Sequence, residues 1–226
     1  MNFLSHFYFE TENTDPNMVL GVVLPDFIKN AQKDINLYPQ KEPQLFESDA
    51  HQQSILRGWE KHIEVDRLFH SSDFFKTQTA QLKQILLPNL SGSPVKPFFL
   101  AHIGLELVLD HLLTIEGMVN INVFYDQLVH ADKAALKAFL EKCGLADTSI
   151  FFKFLNSFIS SKYLFSYRKI ENISYALNRI CMRLWENPLS EIQMSNMTRD
   201  LEEFTRMIKP DYLSIFREIE AGPGTK

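Results

Sequence analysis

The stretch Gly58-Trp59-Glu60-Lys61-His62-Ile63-Glu64-Val65-Asp66-Arg67-Leu68-Phe69-His70 decides the fold. Only Gly58 disfavours a helix, and one glycine is tolerable, so the pattern predicts a helix over about Asp49–His70. At about 100° per residue, Ile55, Trp59, His62, Ile63, Asp66, Phe69 and His70 share one face. Arg57, Glu60, Lys61, Glu64 and Arg67 take the other. The apolar side therefore carries His62, Asp66 and His70, spaced i, i+4, i+8. Burying such groups costs several kcal/mol, roughly, unless each finds a hydrogen bond, an opposite charge or a metal.

Working outward, Phe98–Glu116 is apolar almost all round, as expected of a buried central helix. Within it His102, Glu106 and Asp110 repeat the i, i+4, i+8 spacing, and His111 projects about 100° away from Asp110. Asn2–Phe9 is an apolar opening segment that carries His6. Asp15-Pro16 starts a helix, because aspartate caps free N–H groups and proline tolerates the first position. Leu24-Pro25-Asp26 is expected to close or kink it, leaving Asp26 near a helix end. Lys29–Ser48 reads as a surface loop. Ser71-Ser72-Asp73 caps a short helix that ends before Pro88, and Leu90–Pro97 is a turn-rich connector.

Further helices are expected over Ile121–Val129, Ala131–Cys143, Ser149–Ser160, Arg168–Glu186, Thr198–Lys209 and Tyr212–Glu220, with a frayed tail over Ala221–Lys226. Alternating strand patterns are missing. The expectation is an all-α, single-domain multi-helix bundle over 1–226. Helices of about 15–116 carry the inward polar residues, and those of about 120–220 form a C-terminal set.

Composition agrees. Hydrophobic residues make up 45% of the 226, phenylalanine occurs 19 times and glycine only 8, which suits a packed helical globule. A net charge of −5 argues against nucleic acid as a partner. Locally the balance reverses. Between Thr148 and Trp185 stand Lys153, Lys162, Arg168, Lys169, Arg179 and Arg183 against Glu171 alone, a basic surface suited to an acidic partner or a phosphate. The two cysteines show no pairing pattern, the opening residues lack a basic leader, and charges interrupt the longest apolar stretch. The expectation is a cytoplasmic protein without a membrane span.

Residues one helical turn apart can reach one ion. His62 with Asp66, and Glu106 with Asp110, offer four ligands from two helices, which Asp26 and either His6 or His102 would complete. Imidazole and carboxylate without thiolate favour Mn²⁺, Fe²⁺, Mg²⁺ or Zn²⁺. The alternative is that His62–Asp66 and His102–Glu106 are hydrogen-bonded pairs satisfying each other inside a core. No glycine-rich phosphate loop, nucleophile elbow or His-Glu-x-x-His motif competes.

Met1-Asn2-Phe3-Leu4-Ser5-His6, Gly21-x-x-Leu24-x-Asp26-Phe27, Gly58-x-x-x-His62-x-x-x-Asp66 and Asp110-His111-x-Leu113 resemble the acyl carrier protein phosphodiesterases. Tyr167-Arg168 and Leu177-Asn178 extend the resemblance nearly end to end. It implies a distantly HD-type, all-helical, metal-dependent hydrolase of fatty acid biosynthesis. Such an enzyme releases 4′-phosphopantetheine from the serine of holo-acyl carrier protein, usually with Mn²⁺. By position, His6, Asp26, His62, Asp66, Asp110 and His111 match. His70 stands where the pattern has an acid, Glu106 replaces an aspartate, and His102 has no counterpart.

On that resemblance Asp26, His62, Asp66 and Asp110 hold the ion; the helical spacing adds His70, His102 and Glu106 as additional ligands or support. His6, His111 or His70 protonates the leaving serine oxygen. Arg168 offsets phosphoryl charge, and Lys169, Arg179 and Arg183 dock the acidic carrier protein. Two rivals stay open: a phosphohydrolase acting on a nucleotide or another diester, and a non-catalytic helical module that binds an acidic protein.

Overall fold

A computed structural model of the chain describes residues 1–222; the last four residues of the expected frayed tail lie outside them. All regular structure among the described residues is helical. In chain order the α-helices are α1 (Phe3–Tyr8), α2 (Pro16–Ala31), α3 (Ala50–Ser71), α4 (Asp73–Leu86), α5 (Pro97–Ile115), α6 (Ile121–His130), α7 (Lys133–Lys142), α8 (Ser149–Ser161), α9 (Ile170–Cys181), α10 (Glu191–Ile208) and α11 (Leu213–Ala221). Short 3-10 turns supplement them. The all-α expectation holds.

The helices sort into two compact units, neither of them continuous in sequence. One comprises Met1–Ser5, Arg67–Met118 and the chain from Phe165 onward; the other comprises His6–Asp66 and Val119–Leu164. The division falls inside α1 and α3, so each of those helices contributes to both.

In the second unit, α2 begins where expected: the Asp15 carboxylate accepts from the N–H of Asn17, and Pro16 takes the first turn. It does not stop at Pro25. The helix runs on to Ala31 despite the donor that proline removes. What carries it on is apolar burial, since Phe27 is fully buried with its ring 4.7 Å from that of Phe158. Phe124 and Tyr125 of α6 join the same aromatic cluster. The expected loop over Lys29–Ser48 is thus shorter, and it contains a 3-10 turn that delivers Phe46 to Phe139 at 4.4 Å.

In the first unit α4, α5, α9 and α10 pack together. Ser72 caps α4 by accepting from the N–H of Phe75. α10 starts at Glu191, two turns before the expected Thr198, because Ser190 and Gln193 form a reciprocal capping box. α9 ends at Cys181 instead of Glu186, so Arg183 lies beyond the helix and does not share it with Arg179. Central α5 is, among the described residues, the one helix long and apolar enough to cross a membrane; 67% of that stretch is buried, as in a core helix. Cys143 and Cys181 are both free thiols.

Candidate metal centre

Within the second unit α2 and α3 come closest at Gly21 and Gly58, which brings the Val22 carbonyl within 2.8 Å of His62 Nδ1, one turn further along α3. A carbonyl only accepts, so His62 donates from Nδ1. That is the arrangement common to metal-binding histidines. Asp66, one turn on, places Oδ2 3.9 Å from His62 Nε2 and Oδ1 3.4 Å from His6 Nε2. The rings of His6 and His62 stack at 3.8 Å with an interplanar angle of 19°. The ligand atoms of His6, His62 and Asp66 all lie within 4.8 Å of one another.

The electrostatics leave this group ready to donate. His6 is 1% exposed, and neither of its ring nitrogens has a hydrogen-bond partner of acceptable geometry. Burial, then the adjacent His62 ring, pushes His6 down to about 4, against the pull of Asp66. It is therefore a neutral imidazole at neutral pH. Burial raises the Asp66 carboxyl, but the contact with His6 and the positive charge around it together outweigh that and hold Asp66 well below the usual carboxylate range. Two imidazoles and an ionised carboxylate converge here. Buried imidazole and carboxylate donor atoms turned on one point have the chemistry of a divalent-cation site.

The other sequence candidates fall elsewhere. Asp26 lies on α2, one turn beyond Val22 and half-buried, outside the group of three. Asp110 is fully buried and engaged by four donors. Its Oδ1 accepts from the Ser5 N–H and hydroxyl, both at 2.7 Å, and its Oδ2 from the Leu4 N–H at 3.1 Å and the Asn2 amide at 2.9 Å. It caps the first turn of α1, satisfying N–H groups that a helix start leaves open. Burial pushes its carboxyl up to about 7, although those hydrogen bonds pull downward.

His111 donates from Nδ1 to the Tyr167 carbonyl at 2.6 Å, and burial lowers its pKa. It lines a cavity of about 340 Å³ with Ile170, Glu202, Thr205 and Arg206. His70, His102 and Glu106 meet as a second group in the first unit. These are the three positions that depart from the resembled pattern. Arg168, Lys169, Arg179 and Arg183 are all exposed, with the Arg168 guanidinium 5.8 Å from the centre of the Phe165 ring. The partners that sequence reasoning missed are backbone groups of Val22, Leu4 and Tyr167, which carry no side-chain signal, and the ring stack of His6 on His62.

Two groups of two imidazoles and one carboxylate that could hold a metal ion define a class: an all-helical protein with candidate cation sites. A family model matches residues 1–219, and the chain belongs to the acyl carrier protein phosphodiesterase family, which is a family of enzymes. No curated protein and no solved structure matches it.

Proposed function

We propose that the protein is a metal-dependent phosphodiesterase that converts holo-acyl carrier protein to the apo form. Water adds across the bond between phosphorus and the serine oxygen, giving a serine hydroxyl and free 4′-phosphopantetheine. The observation that carries this reading is the convergence of the buried, stacked His6 and His62 rings with the carboxylate of Asp66. The family supplies the substrate.

His6, His62 and Asp66 would hold the ion, Mn²⁺ on the family's chemistry, with Asp26, one turn beyond Val22 on α2, as a further carboxylate. A divalent ion bound there supplies Lewis acidity toward phosphoryl oxygen and makes hydroxide available near neutral pH. The chain's own groups do the rest. The Val22 carbonyl fixes the tautomer and orientation of His62. Asp66 contributes negative charge that keeps the cation in place. His6 moves from proton donor to ligand in this reading, because a group held down to about 4 carries no proton to give. Asp110 moves from ligand to anchor of α1, since all its accepting positions face protein donors.

Lys169, Arg179 and Arg183 form the docking surface for the acidic carrier, contributing chiefly to encounter rate and selectivity, and Arg168 offsets phosphoryl charge. Two free cysteines accord with a reducing compartment, the cytoplasm.

Mass spectrometry of holo-acyl carrier protein incubated with this protein and Mn²⁺, with and without chelator, tests the proposal. The expected result is a mass loss equal to phosphopantetheine that chelation abolishes. An unchanged carrier, or a loss indifferent to chelator, overturns it.

A further inference from the structure

We infer that the chain carries a second, independent metal site of two imidazoles and one carboxylate at His70, His102 and Glu106, suited to a first-row divalent ion such as Zn²⁺ or Fe²⁺. The inference does not depend on the hydrolase reading and uses residues of the first unit alone.

Three ligand atoms define the site. His70 Nε2 and His102 Nε2 are 3.2 Å apart. Glu106 Oε1 lies 3.3 Å from the first and 3.1 Å from the second. The result is a nearly regular triangle. Glu106 Oε1 is able to accept from both ring nitrogens, but the two Nε2 atoms, 3.2 Å apart, then carry protons and cannot bond each other. One cation near the common axis engages all three atoms at once.

Bond lengths of about 2.0–2.2 Å to nitrogen and oxygen imply ligand–ligand edges of roughly 3.0–3.5 Å, from octahedral to tetrahedral packing. The observed edges fall inside that range. An ion about 1 Å above the triangle would reach every corner at normal bond length.

The surroundings hold this arrangement in place. The Phe75 ring meets both imidazoles edge-on, at 4.9 Å from His70 and 4.9 Å from His102. Phe69 abuts His70 at 5.1 Å. His102 and Glu106 are one turn apart on α5, and His70 belongs to the last turn of α3, so the ion would tie the two helices together.

Burial raises the Glu106 carboxyl, but the Met1 ammonium 3.4 Å from Oε1 and the two imidazoles overcome that and keep it ionised. An entering cation takes over the ammonium's role as counter-charge. The side chains of His70 and His102 are about one-third exposed, at 31% and 32%, so solvent reaches the open side. Three protein ligands with the remaining positions open match the two-histidine, one-carboxylate pattern of Zn²⁺ and non-haem Fe²⁺ sites.

The test is metal stoichiometry on the full chain. Chelator-stripped protein is dialysed against Zn²⁺ and the bound metal counted by plasma mass spectrometry, with Co²⁺ absorption as a second readout. Wild type should bind two equivalents. His102→Ala and Glu106→Gln should each lose one and keep the other, and His62→Ala should lose only the equivalent that they retain. Glu106→Gln preserves shape, so the assignment survives if His102→Ala misfolds. A chain binding one ion that His102→Ala removes and His62→Ala does not would support this site and count against the first. Stoichiometry unchanged by both His102→Ala and Glu106→Gln, or a single ion lost only with His62→Ala, overturns the proposal.

Discussion

Gly21 of α2 and Gly58 of α3 face each other so closely that neither position accepts a side chain. A methyl on Gly58 would stand 2.4 Å from the Met18 carbonyl oxygen and 2.7 Å from the Gly21 Cα. One on Gly21 would meet the Ile55 carbonyl oxygen at 2.4 Å. The obstacles are backbone atoms, which cannot swing away, so the helices themselves would have to separate. That contact sets the reach from Val22 to His62. Gly58→Ala should therefore lower stability by about 1–3 kcal/mol or more. It should also weaken metal binding, because the His62 anchor moves with the helix. Urea melts and metal titration of the same sample check both.

Removing a ligand has a different signature. His62→Ala and Asp66→Ala each take away a donor while leaving the Gly21–Gly58 contact untouched. Loss of an orienting partner alone typically costs roughly 10–100-fold in metal affinity, so losing a ligand should cost at least about 100-fold by the same measure. His6→Ala should behave alike if His6 is a ligand, whereas a proton-donor role would lower turnover and leave affinity unchanged. Isothermal titration with Mn²⁺ separates the two roles.

The helical class and the inward face of α3 were legible because periodicity is local: His62, Asp66 and His70 follow from counting residues. So was the pairing of His102 with Glu106, one turn apart on one helix. Long-range hydrogen bonding was not. That His62 rests on Val22, and that Asp110 is spent on Asn2, Leu4 and Ser5, depends on backbone groups whose availability no residue type announces. Pro25 misled for a related reason, since the burial of Phe27 outweighs a local penalty. Ser190 and Gln193, by contrast, spell a capping box in the sequence, and the early start of α10 could have been read there.

The basic surface makes a claim about rate rather than chemistry. Arg179 and Arg183 are exposed, and reversing both to glutamate should raise KM for holo-carrier roughly tenfold at low salt, within the range of electrostatic steering. Turnover of a small phosphodiester should change by less than about twofold, because such a substrate needs no docking surface. Raising the ionic strength should bring wild type down toward the variant. A small diester that suffers equally would assign these residues to the reaction itself.

Asp110 gives the fold a pH dependence of a particular sign. Its carboxyl titrates at about 7 in the folded chain against a reference value of 3.8. Between those values the folded protein keeps a proton that the unfolded chain has released. Stability from this group is therefore fully present below the lower value and is lost as pH rises through the upper one. Asparagine cannot titrate, so Asp110→Asn removes the dependence, while its amide meets donors where the carboxyl accepted and costs about 1–3 kcal/mol. The variant's deficit should be largest near about pH 5 and shrink toward about pH 8, by a few kcal/mol at most at roughly 1.4 kcal/mol per pH unit. Urea melts of both proteins across that range measure it, and a deficit that grows with pH would mean that the four donors keep Asp110 ionised throughout.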